Sequence, residues 1–291
     1  MIGIDWGSTN FRAFRFDAKG EVVERRLAAR GAAFAITRGY AFEAVLFEAV
    51  RDWLKDDREI LLAGKVGSRN GWVEAGYVSC PADSASIAAH LAEVQCSLGR
   101  CRIVPGIRCD AAGGPGEVMR GQETLLLGSG LRDGLVLLPG THSKWATLKH
   151  GRITSFRTAI TGELHSVLLE HTMLGKLADV GGTPDPEPFS RGVLRSLQDP
   201  AVIMTMFSAR SDVLLGSLAP SDVRDYLSGL LIGAEIAAMK PDNVPLTVIG
   251  GIAQAERYRA ALELAGVKRI SVVDGDDAAA RGLWAIGRAI Q

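Results

Sequence analysis

The chain has 291 residues, of which 47% are hydrophobic, and it carries 33 basic and 33 acidic side chains. This length is sufficient for one large domain or for two medium-sized domains with apolar cores. A formal net charge of zero argues against a nucleic-acid-binding protein, which usually has a basic face. The chain contains no run of about 18 apolar residues that could span a membrane. Asp5 interrupts the apolar start, so we expect no signal peptide.

Cysteine usage points to a reducing environment. The four cysteines, Cys80, Cys96, Cys101 and Cys109, form no C-x-x-C pair, and their spacing does not suit zinc. We therefore expect small buried or surface thiols, no metal site made of protein ligands alone, and a soluble cytoplasmic protein.

The first part of the chain predicts a strand meander instead of a βαβ unit. Residues 1–5 form a short apolar strand, residues 11–16 alternate apolar and polar side chains, and residues 21–25 are a third strand candidate. The next predicted elements are a helix over 42–54, a buried strand over 60–64, a helix over 82–91 and a strand over 101–104. The glycine-rich stretch 110–116 then predicts a boundary between domains 1–113 and 114–291.

The second part of the chain begins with a predicted helix and then has a similar strand–turn–strand unit. Its predicted elements are a helix over 117–127, strands over 135–138 and 144–148, a helix over 162–177, a Gly/Pro-rich loop over 181–188, a long helix over 222–239, a buried strand over 246–249, and helices over 255–265 and 277–290 around a strand at 270–273. The last helix could pack back on the first domain. Such a mixture of strands and helices predicts an α/β fold.

Two similar turns form an internal sequence repeat. Each predicted half begins with a strand, a polar turn and a second strand, and the turns read D-W-G-S-T-N at residues 5–10 and P-G-T-H-S-K at residues 139–144. A duplicated half-domain explains this repetition. Two such hairpins facing each other across a cleft could hold a polyphosphate, although either turn alone is also compatible with an ordinary hairpin.

These turns suit phosphate chemistry. Glycine lets the backbone approach an anion closely, and Ser and Thr hydroxyls add donors to the backbone N–H groups. Asp5 offers a hard oxygen ligand for Mg²⁺, and Gly250-Gly251 after a buried strand suits an adenosine. No P-loop and no G-x-G-x-x-G motif occurs. The residues predicted to bind ATP are Gly7, Ser8, Thr9, Asn10, Gly140, Thr141, His142, Ser143, Gly250 and Gly251.

Several stretches resemble the signatures of the 2-dehydro-3-deoxygalactonokinase family. They read G-S-R-N-G-W at 67–72, V-M-R-G-Q-E-T at 118–124, L-P-G-T-H-S-K-W at 138–145 and T-G-E-L at 161–164. The resemblance runs from residue 1 to about residue 290. It implies the fold of the sugar kinase, Hsp70 and actin superfamily, with two ribonuclease-H-like (actin-like) half-domains flanking an ATP and substrate cleft. It also implies transfer of the ATP γ-phosphate to the 6-hydroxyl of 2-dehydro-3-deoxy-D-galactonate.

The resemblance also suggests roles for single residues. Glu123 is the expected base, with Glu117 as the alternative, and Asp5 is expected to hold Mg²⁺ through water. An arginine would suit the carboxylate of a sugar acid. The residues predicted to bind the sugar acid are Arg12, Ser68, Arg69, Trp72, Arg120 and Lys144. Lys65 stands where the family pattern has an apolar residue, and its role is left open.

Other functions remain alternatives at this point. The substrate could be a different epimer, such as 2-dehydro-3-deoxygluconate. A non-catalytic regulator on the same core would need a DNA-binding module ahead of the first turn, and Asp5 leaves no room for one in this sequence. A hydrolase of polyphosphates or acyl phosphates is a third reading. We expect ATP and a small sugar acid as ligands and neither nucleic acid nor membrane as a partner, and homodimerisation is left open.

Overall fold

The computed structural model describes residues 1–110, 115–179, 185–241 and 244–290. The chain forms two units. Unit 1 consists of Met1–Gly134, Ala146–Phe156 and Val273–Gln291, and unit 2 of Leu135–Trp145 and Arg157–Val272. The predicted domain boundary after residue 113 lies outside the described residues and stays a prediction.

The strands, in chain order, are β1 (Ile2–Trp6), β2 (Phe11–Phe16), β3 (Val22–Ala28), β4 (Glu59–Gly64), β5 (Tyr77–Ser79), β6 (Ala92–Val94), β7 (Arg100–Ile103), β8 (Gly106–Cys109), β9 (Glu117–Met119), β10 (Gly134–Leu138), β11 (Ser143–Lys149), β12 (Arg152–Ala159), β13 (Leu246–Gly250) and β14 (Ile270–Asp274).

The α-helices are α1 (Ala32–Arg38), α2 (Phe42–Val50), α3 (Ser84–Ala88), α4 (Gln122–Leu127), α5 (Thr161–His171), α6 (Pro186–Gln198), α7 (Val202–Thr205), α8 (Ser208–Leu214), α9 (Val223–Met239), α10 (Ile252–Leu264) and α11 (Gly275–Arg288). Short 3₁₀ helices lie at Trp53–Lys55, Lys65–Gly67, Gly175–Leu177 and Pro220–Asp222.

The predicted duplication is confirmed by the strand order of two sheets. The sheet of unit 1 has the order β3-β2-β1-β4-β7-β6, in which β1 is antiparallel to β2 and parallel to β4. The second sheet repeats this pattern as β12-β11-β10-β13-β14, with β10 parallel to β13. In both sheets a hairpin is therefore followed by a parallel neighbour, and the polar turn lies between the first two strands of each set.

Several predicted elements were wrong in part. The helix predicted over 162–177 ends at His171, and Gly175–Leu177 is a separate 3₁₀ helix. Residues 117–127 are not one helix, because Glu117–Met119 forms β9 and pairs antiparallel with β8. Gly121 then has a φ of 94°, which a helix interior does not accept, so α4 begins only at Gln122. Within the predicted loop 181–188, residues 181–184 lie outside the described part, but Pro186 starts α6 behind the capping side chain of Asp185.

The apolar core of unit 1 is built on the central strands of its sheet. All five residues of β1 are buried, as are Ile60 and Leu62 of β4. Leu46 and Val50 of α2 belong to the same apolar cluster. In unit 2 the apolar clusters involve β13, α9 and α10. Burial on both faces explains why β1 and β13 read as nearly continuous apolar runs.

Helices α4 and α11 of unit 1 approach each other closely at glycines. A Cβ atom added to Gly282 would lie 1.8 Å from the carbonyl oxygen of Thr124, and one added to Gly128 would lie 1.9 Å from that of Ala278. The side chain of Arg281 also donates from Nε to the Gly128 carbonyl oxygen at 2.8 Å. This contact fixes the position of α4, which carries Glu123.

We expect the Gly282→Ala variant to lower the free energy of unfolding by about 1–3 kcal/mol, since overpacking at this contact must push the two helices apart. Chemical denaturation measures the change. Gly116→Ala is the control, because a Cβ atom there meets no heavy atom of the described part of the chain within 4 Å. Equal stability of the two variants would contradict the role given to this contact.

Candidate active site

Asp5 lies near the end of β1 and is only 5% exposed. Arg12 of β2 is its cross-strand neighbour, and Arg12 Nη2 lies 2.9 Å from Asp5 Oδ2. A second guanidinium nitrogen of Arg12 donates to Asp276 in the first turn of α11. Burial raises the pKa of Asp5, Arg12 opposes this shift, and the charge of Asp276 adds to it. Arg12 thus bridges two carboxylates, and its predicted contact with a sugar acid stays a prediction.

The first turn is anchored through its carbonyl groups. The N–H of Gly7 donates to the carbonyl oxygen of Asn10 at 3.0 Å and closes the turn. The carbonyl oxygens of Gly7, Ser8 and Thr9 accept hydrogen bonds of 2.9–3.0 Å from the backbone N–H groups of residues 31–33, where α1 begins. The side chains of Ser8, Thr9 and Asn10 are exposed.

The second turn is anchored in a similar way. The carbonyl oxygen of Thr141 accepts a hydrogen bond of 3.0 Å from the N–H of Glu163, in the first turn of α5. The Glu163 side chain also reaches back, and its Oε2 lies 2.6 Å from Nε2 of His142. Ser143, by contrast, is fully buried. Its predicted phosphate contact stays a prediction.

A glycine makes each anchoring contact possible. A Cβ atom on Gly31 would lie 2.2 Å from the Ser8 carbonyl oxygen, and one on Gly162 would lie 2.5 Å from the Gly140 carbonyl oxygen. A larger residue at either position would push its turn away from the helix that follows. The two halves of the protein therefore hold their polar turns by the same local contact.

A buried polar network lies behind the second turn. The Glu235 carboxylate of α9 accepts hydrogen bonds from Trp145 Nε1 at 2.7 Å, from Tyr258 Oη at 2.8 Å and from Thr161 Oγ1. Ser143 Oγ lies 2.9 Å from Tyr258 Oη. Burial raises the pKa of Glu235, while these donors oppose the shift. Sequence reasoning missed this network, because its members come from β11, α5, α9 and α10 and share no motif.

The remaining predicted residues of unit 2 lie at the ends of strands. Gly250 ends β13, and Gly251 precedes α10 as its N-cap. A Cβ atom on Gly251 would meet no heavy atom of a described residue within 4 Å, so the backbone is open there. Lys144 is 5% exposed, and its Nζ donates to Thr158 Oγ1 at 2.8 Å.

Glu123 is completely buried in unit 1. Its Oε1 accepts a hydrogen bond of 2.8 Å from the N–H of Gly121, whereas Oε2 is buried with no hydrogen-bond partner among the described residues. Burial raises the pKa of Glu123 to about 8, although the Gly121 hydrogen bond and the charge of Arg120 act in the opposite direction. This carboxyl group can therefore change its protonation state near neutral pH.

Two glycines with positive φ, Gly121 and Gly64, lie between Glu123 and Asp5. A Cβ atom on Gly121 would lie 3.1 Å from Gly64 Cα, and one on Gly64 would lie 3.3 Å from Asp5 Oδ1. Both glycines have a φ of 94°, which favours glycine over other residues. The charge of Asp5 also contributes to the raised pKa of Glu123. The two predicted catalytic residues are thus neighbours in one unit.

Arg120 and Ser68 add unpartnered polar atoms to the same unit. Arg120 Nη2 donates to the Gly76 carbonyl oxygen at 2.7 Å, and its guanidinium lies over the ring of Tyr77 at 4.6 Å. Its Nε and Nη1 are buried and have no partner among the described residues, and the same holds for Ser68 Oγ. Nη1 would lie 3.1 Å from a Cβ on Gly67, the neighbour of Ser68.

The predicted substrate residues Arg69 and Trp72 of unit 1 have no buried polar atom that lacks a partner among the described residues. Arg69 is exposed, and so is Lys65, whose role was left open. Trp72 packs against the apolar cluster of unit 1 and stacks on Phe42 with ring centroids 6.2 Å apart. Glu117, the alternative base, lies on β9 and is partly buried.

A family model for 2-keto-3-deoxy-galactonokinase matches residues 5–286. The chain belongs to this family. A 2-dehydro-3-deoxygalactonokinase of Escherichia coli (strain K12) is 36% identical over an alignment of 301 positions, which covers 99% of this chain and 98% of that protein. The crystal structure of a protein from Sinorhizobium meliloti assigned as a 2-dehydro-3-deoxygalactonokinase has a TM-score of 0.89 at 34% identity, covering 99% and 98% of the two chains.

A more distant structure shares the fold alone. Component A of the (R)-2-hydroxyglutaryl-CoA dehydratase from Acidaminococcus fermentans matches with a TM-score of 0.55 at 15% identity, over 100% of this chain and 99% of that one. The prediction of an α/β protein with two ribonuclease-H-like (actin-like) halves is thereby confirmed, in agreement with the repeated strand order.

We expect the Glu235→Ala variant of this galactonokinase-family protein to lose several kcal/mol of stability. The change leaves the donors of Trp145 and Thr161 without an acceptor, each at a cost of about 1–3 kcal/mol, and leaves Tyr258 with Ser143 Oγ alone. Glu235→Gln keeps one acceptor oxygen and should lose less. Chemical denaturation compares both with Glu263→Ala, which removes an exposed carboxylate. A Glu235→Ala variant as stable as Glu263→Ala would contradict the anchoring role of the network.

Proposed function

We propose that this chain is an ATP-dependent kinase that transfers the γ-phosphate to the 6-hydroxyl of 2-dehydro-3-deoxy-D-galactonate, a step in galactonate catabolism. Membership of the family supports the reaction class and the substrate. The observation that carries the mechanism is Glu123, a fully buried carboxyl group with one unpartnered oxygen and a pKa raised to about 8.

Glu123 suits the role of general base. Its Oε1 is held by the Gly121 N–H, so the carboxylate keeps a fixed orientation, and Oε2 has no partner among the described residues. A base with a pKa near the working pH is often in its proton-accepting form and still binds the proton well. Glu123 would take the proton from the sugar hydroxyl as the phosphoryl group arrives.

Asp5 suits the role of a magnesium-binding carboxylate. Among the described residues no group of three or more His, Cys, Asp or Glu side chains could hold a metal ion. Mg²⁺ is usually bound by one or two carboxylates together with phosphates and water. Asp5 would therefore hold the ion through water, and the ion would neutralise phosphate charge. Arg12 fixes the orientation of this carboxylate.

The two polar turns would bind the phosphates of ATP. In this proposal their backbone N–H groups and the hydroxyls of Ser8, Thr9 and Thr141 act as donors. Gly251 leaves open backbone beside which the adenosine would lie, and Gly250 precedes it at the end of β13.

Arg120 is our first candidate for the sugar-acid carboxylate. Its Nε and Nη1 lack a partner among the described residues, so N–H donors remain for a charge-assisted hydrogen bond to a carboxylate. Ser68 would add a hydroxyl. Arg69, Trp72 and Lys144 stay as weaker candidates, because the first is exposed, the second packs in the core and the third is bonded to Thr158.

We expect the Glu123→Gln variant to reduce kcat by at least about 100-fold, since general-base catalysis contributes about 10²–10⁴-fold. In the wild type, kcat/KM for the sugar acid should rise with pH up to about 8 and stay level above it, because Glu123 must lose its proton to act. A coupled assay of ADP formation measures both. Glu117→Gln is the control, and a loss confined to that variant would move the base to Glu117.

Thermal unfolding separates this loss of activity from loss of structure. A carboxyl group whose pKa is raised in the folded state destabilises the fold once the pH exceeds its ordinary pKa, and the effect is complete above the raised value. The Glu123→Gln variant should therefore unfold at a higher temperature than the wild type at pH 8.5 and gain nothing at pH 4. Melting below the wild type at both pH values would contradict the buried, unpaired state of Glu123.

A substrate panel tests the function itself. We expect ATP consumption with 2-dehydro-3-deoxy-D-galactonate at a rate at least about tenfold higher in kcat/KM than with its gluconate epimer, since misplaced hydroxyls leave buried polar groups unpaired. Phosphate release from ATP at the same rate without any sugar acid would favour a hydrolase instead. No phosphorylation of any sugar acid would end the proposal.

The remaining predictions concern the location and the assembly of the protein. No helix of the described residues is long and apolar enough to cross a membrane. Cytoplasmic location and the lack of a nucleic-acid partner stay predictions, and homodimerisation stays open.

A further inference from the structure

Unit 1 also contains a pocket at the end of the sheet where the central strands β1 and β4 begin. It is called the second pocket because it lies apart from the candidate active site. Its volume is about 1360 Å³, and Met1, Ile60 and Leu61 contribute to its wall. Asp5 and Gly64 lie toward the other ends of the same two strands. No residue that lines this pocket has a role in the proposed kinase reaction.

The charge of this pocket is positive. Six basic and four acidic side chains line it: Arg15, Lys19, Arg58, Arg100, Arg102 and Arg288 against Asp17, Asp56, Asp57 and Glu59. All four carboxylates already have protein partners. Asp56 and Asp57 pair with Arg15 at 2.9 Å, Glu59 pairs with Arg102, and Asp17 accepts hydrogen bonds from backbone N–H groups of its own turn.

Two of the cations have unused donors. Arg102 is only 8% exposed, and its Nε is buried with no hydrogen-bond partner among the described residues. Arg58 is exposed, and no described carboxylate of the pocket forms an ion pair with it. A buried N–H group without a partner is costly, so an acceptor supplied by a ligand would restore what folding leaves unsatisfied.

An aromatic surface lies beside these charges. Trp284 of α11 packs on Phe16 of β2 with ring centroids 5.5 Å apart, and both side chains line the pocket. A bare inorganic ion would leave this surface and most of the volume unused. The pocket therefore suits an anion with an organic body.

We propose that this pocket binds a small organic phosphate, with its phosphate group near Arg58 and Arg102 and its organic body against Trp284. Arginine donates charge-assisted hydrogen bonds to phosphate, and the Nε of Arg102 has no partner among the described residues, although its Nη2 donates to Glu59. The phosphate monoester, not the carbohydrate part, is the feature that the pocket recognises.

Calorimetric titration with 6-phosphogluconate tests the proposal on the full chain saturated with a non-hydrolysable ATP analogue. We expect the Arg58→Ala and Arg102→Lys variants to bind at least about tenfold more weakly than wild type, since each loses guanidinium donors to phosphate. Arg102→Lys keeps a cation beside Glu59 and so guards against misfolding. Arg132→Ala, an exposed arginine elsewhere in unit 1, and Arg120→Ala should bind as wild type does.

Three outcomes would overturn the proposal. If Arg120→Ala abolished binding while Arg58→Ala kept it, the probe would occupy the candidate sugar-acid site. If gluconate, which lacks the phosphate, bound as tightly as 6-phosphogluconate, the pocket would not select phosphate. Inorganic phosphate should bind more weakly than 6-phosphogluconate, because it cannot use the surface of Trp284, and equal affinity would also contradict the assignment.

Discussion

Burial of the Glu123 carboxyl group is the constraint on which the rest of unit 1 depends. Without a counter-charge in hydrogen-bonding contact, a buried carboxyl group holds its proton to higher pH, and here that raises the pKa to about 8. The same burial destabilises the folded chain whenever the group is ionised. The cost is tolerable only if the surrounding structure is rigid, and the glycine contacts at Gly64, Gly121 and Gly282 provide close backbone packing around this residue.

Helix α11 connects several parts of unit 1 that are far apart in sequence. Its first turn supplies Asp276, which binds Arg12 and through it orients Asp5. Its middle packs on α4, which carries Glu123. Its last turns contribute Trp284 and Arg288 to the second pocket. A shift of this one helix would thus be felt by both candidate catalytic carboxylates, which makes it a physical route between the pocket and the site.

The sequence predicted what local patterns encode. The two polar turns, the repeated strand–turn–strand order and Glu123 within its motif all follow from short stretches of residues. It could not predict contacts between distant residues. Nothing near Arg12 reveals that Asp276 will occupy its guanidinium, and nothing near Ser143 reveals Glu235. The predicted helix over 117–127 was wrong because strand pairing with β8 and the positive φ of Gly121 outweigh the apolar periodicity.

The anchoring of the two turns limits how phosphate could bind. The N–H groups of Ala32 and Ala33 at the start of α1, and that of Glu163 in the first turn of α5, donate to turn carbonyls. These three N–H groups are not available to an anion, unlike those of a P-loop, where the helix start itself receives the phosphate. The supports behind the turns differ, however. The rings of Trp6 and Phe11, on either side of the first turn, pack edge to face with their centroids 5.0 Å apart. The polar network of Glu235 lies behind the second turn. Loss of the Glu235 charge would thus disturb the second turn, whereas the buried charge beside the first turn is that of Asp5, so the two halves, although duplicated, can be perturbed by separate substitutions.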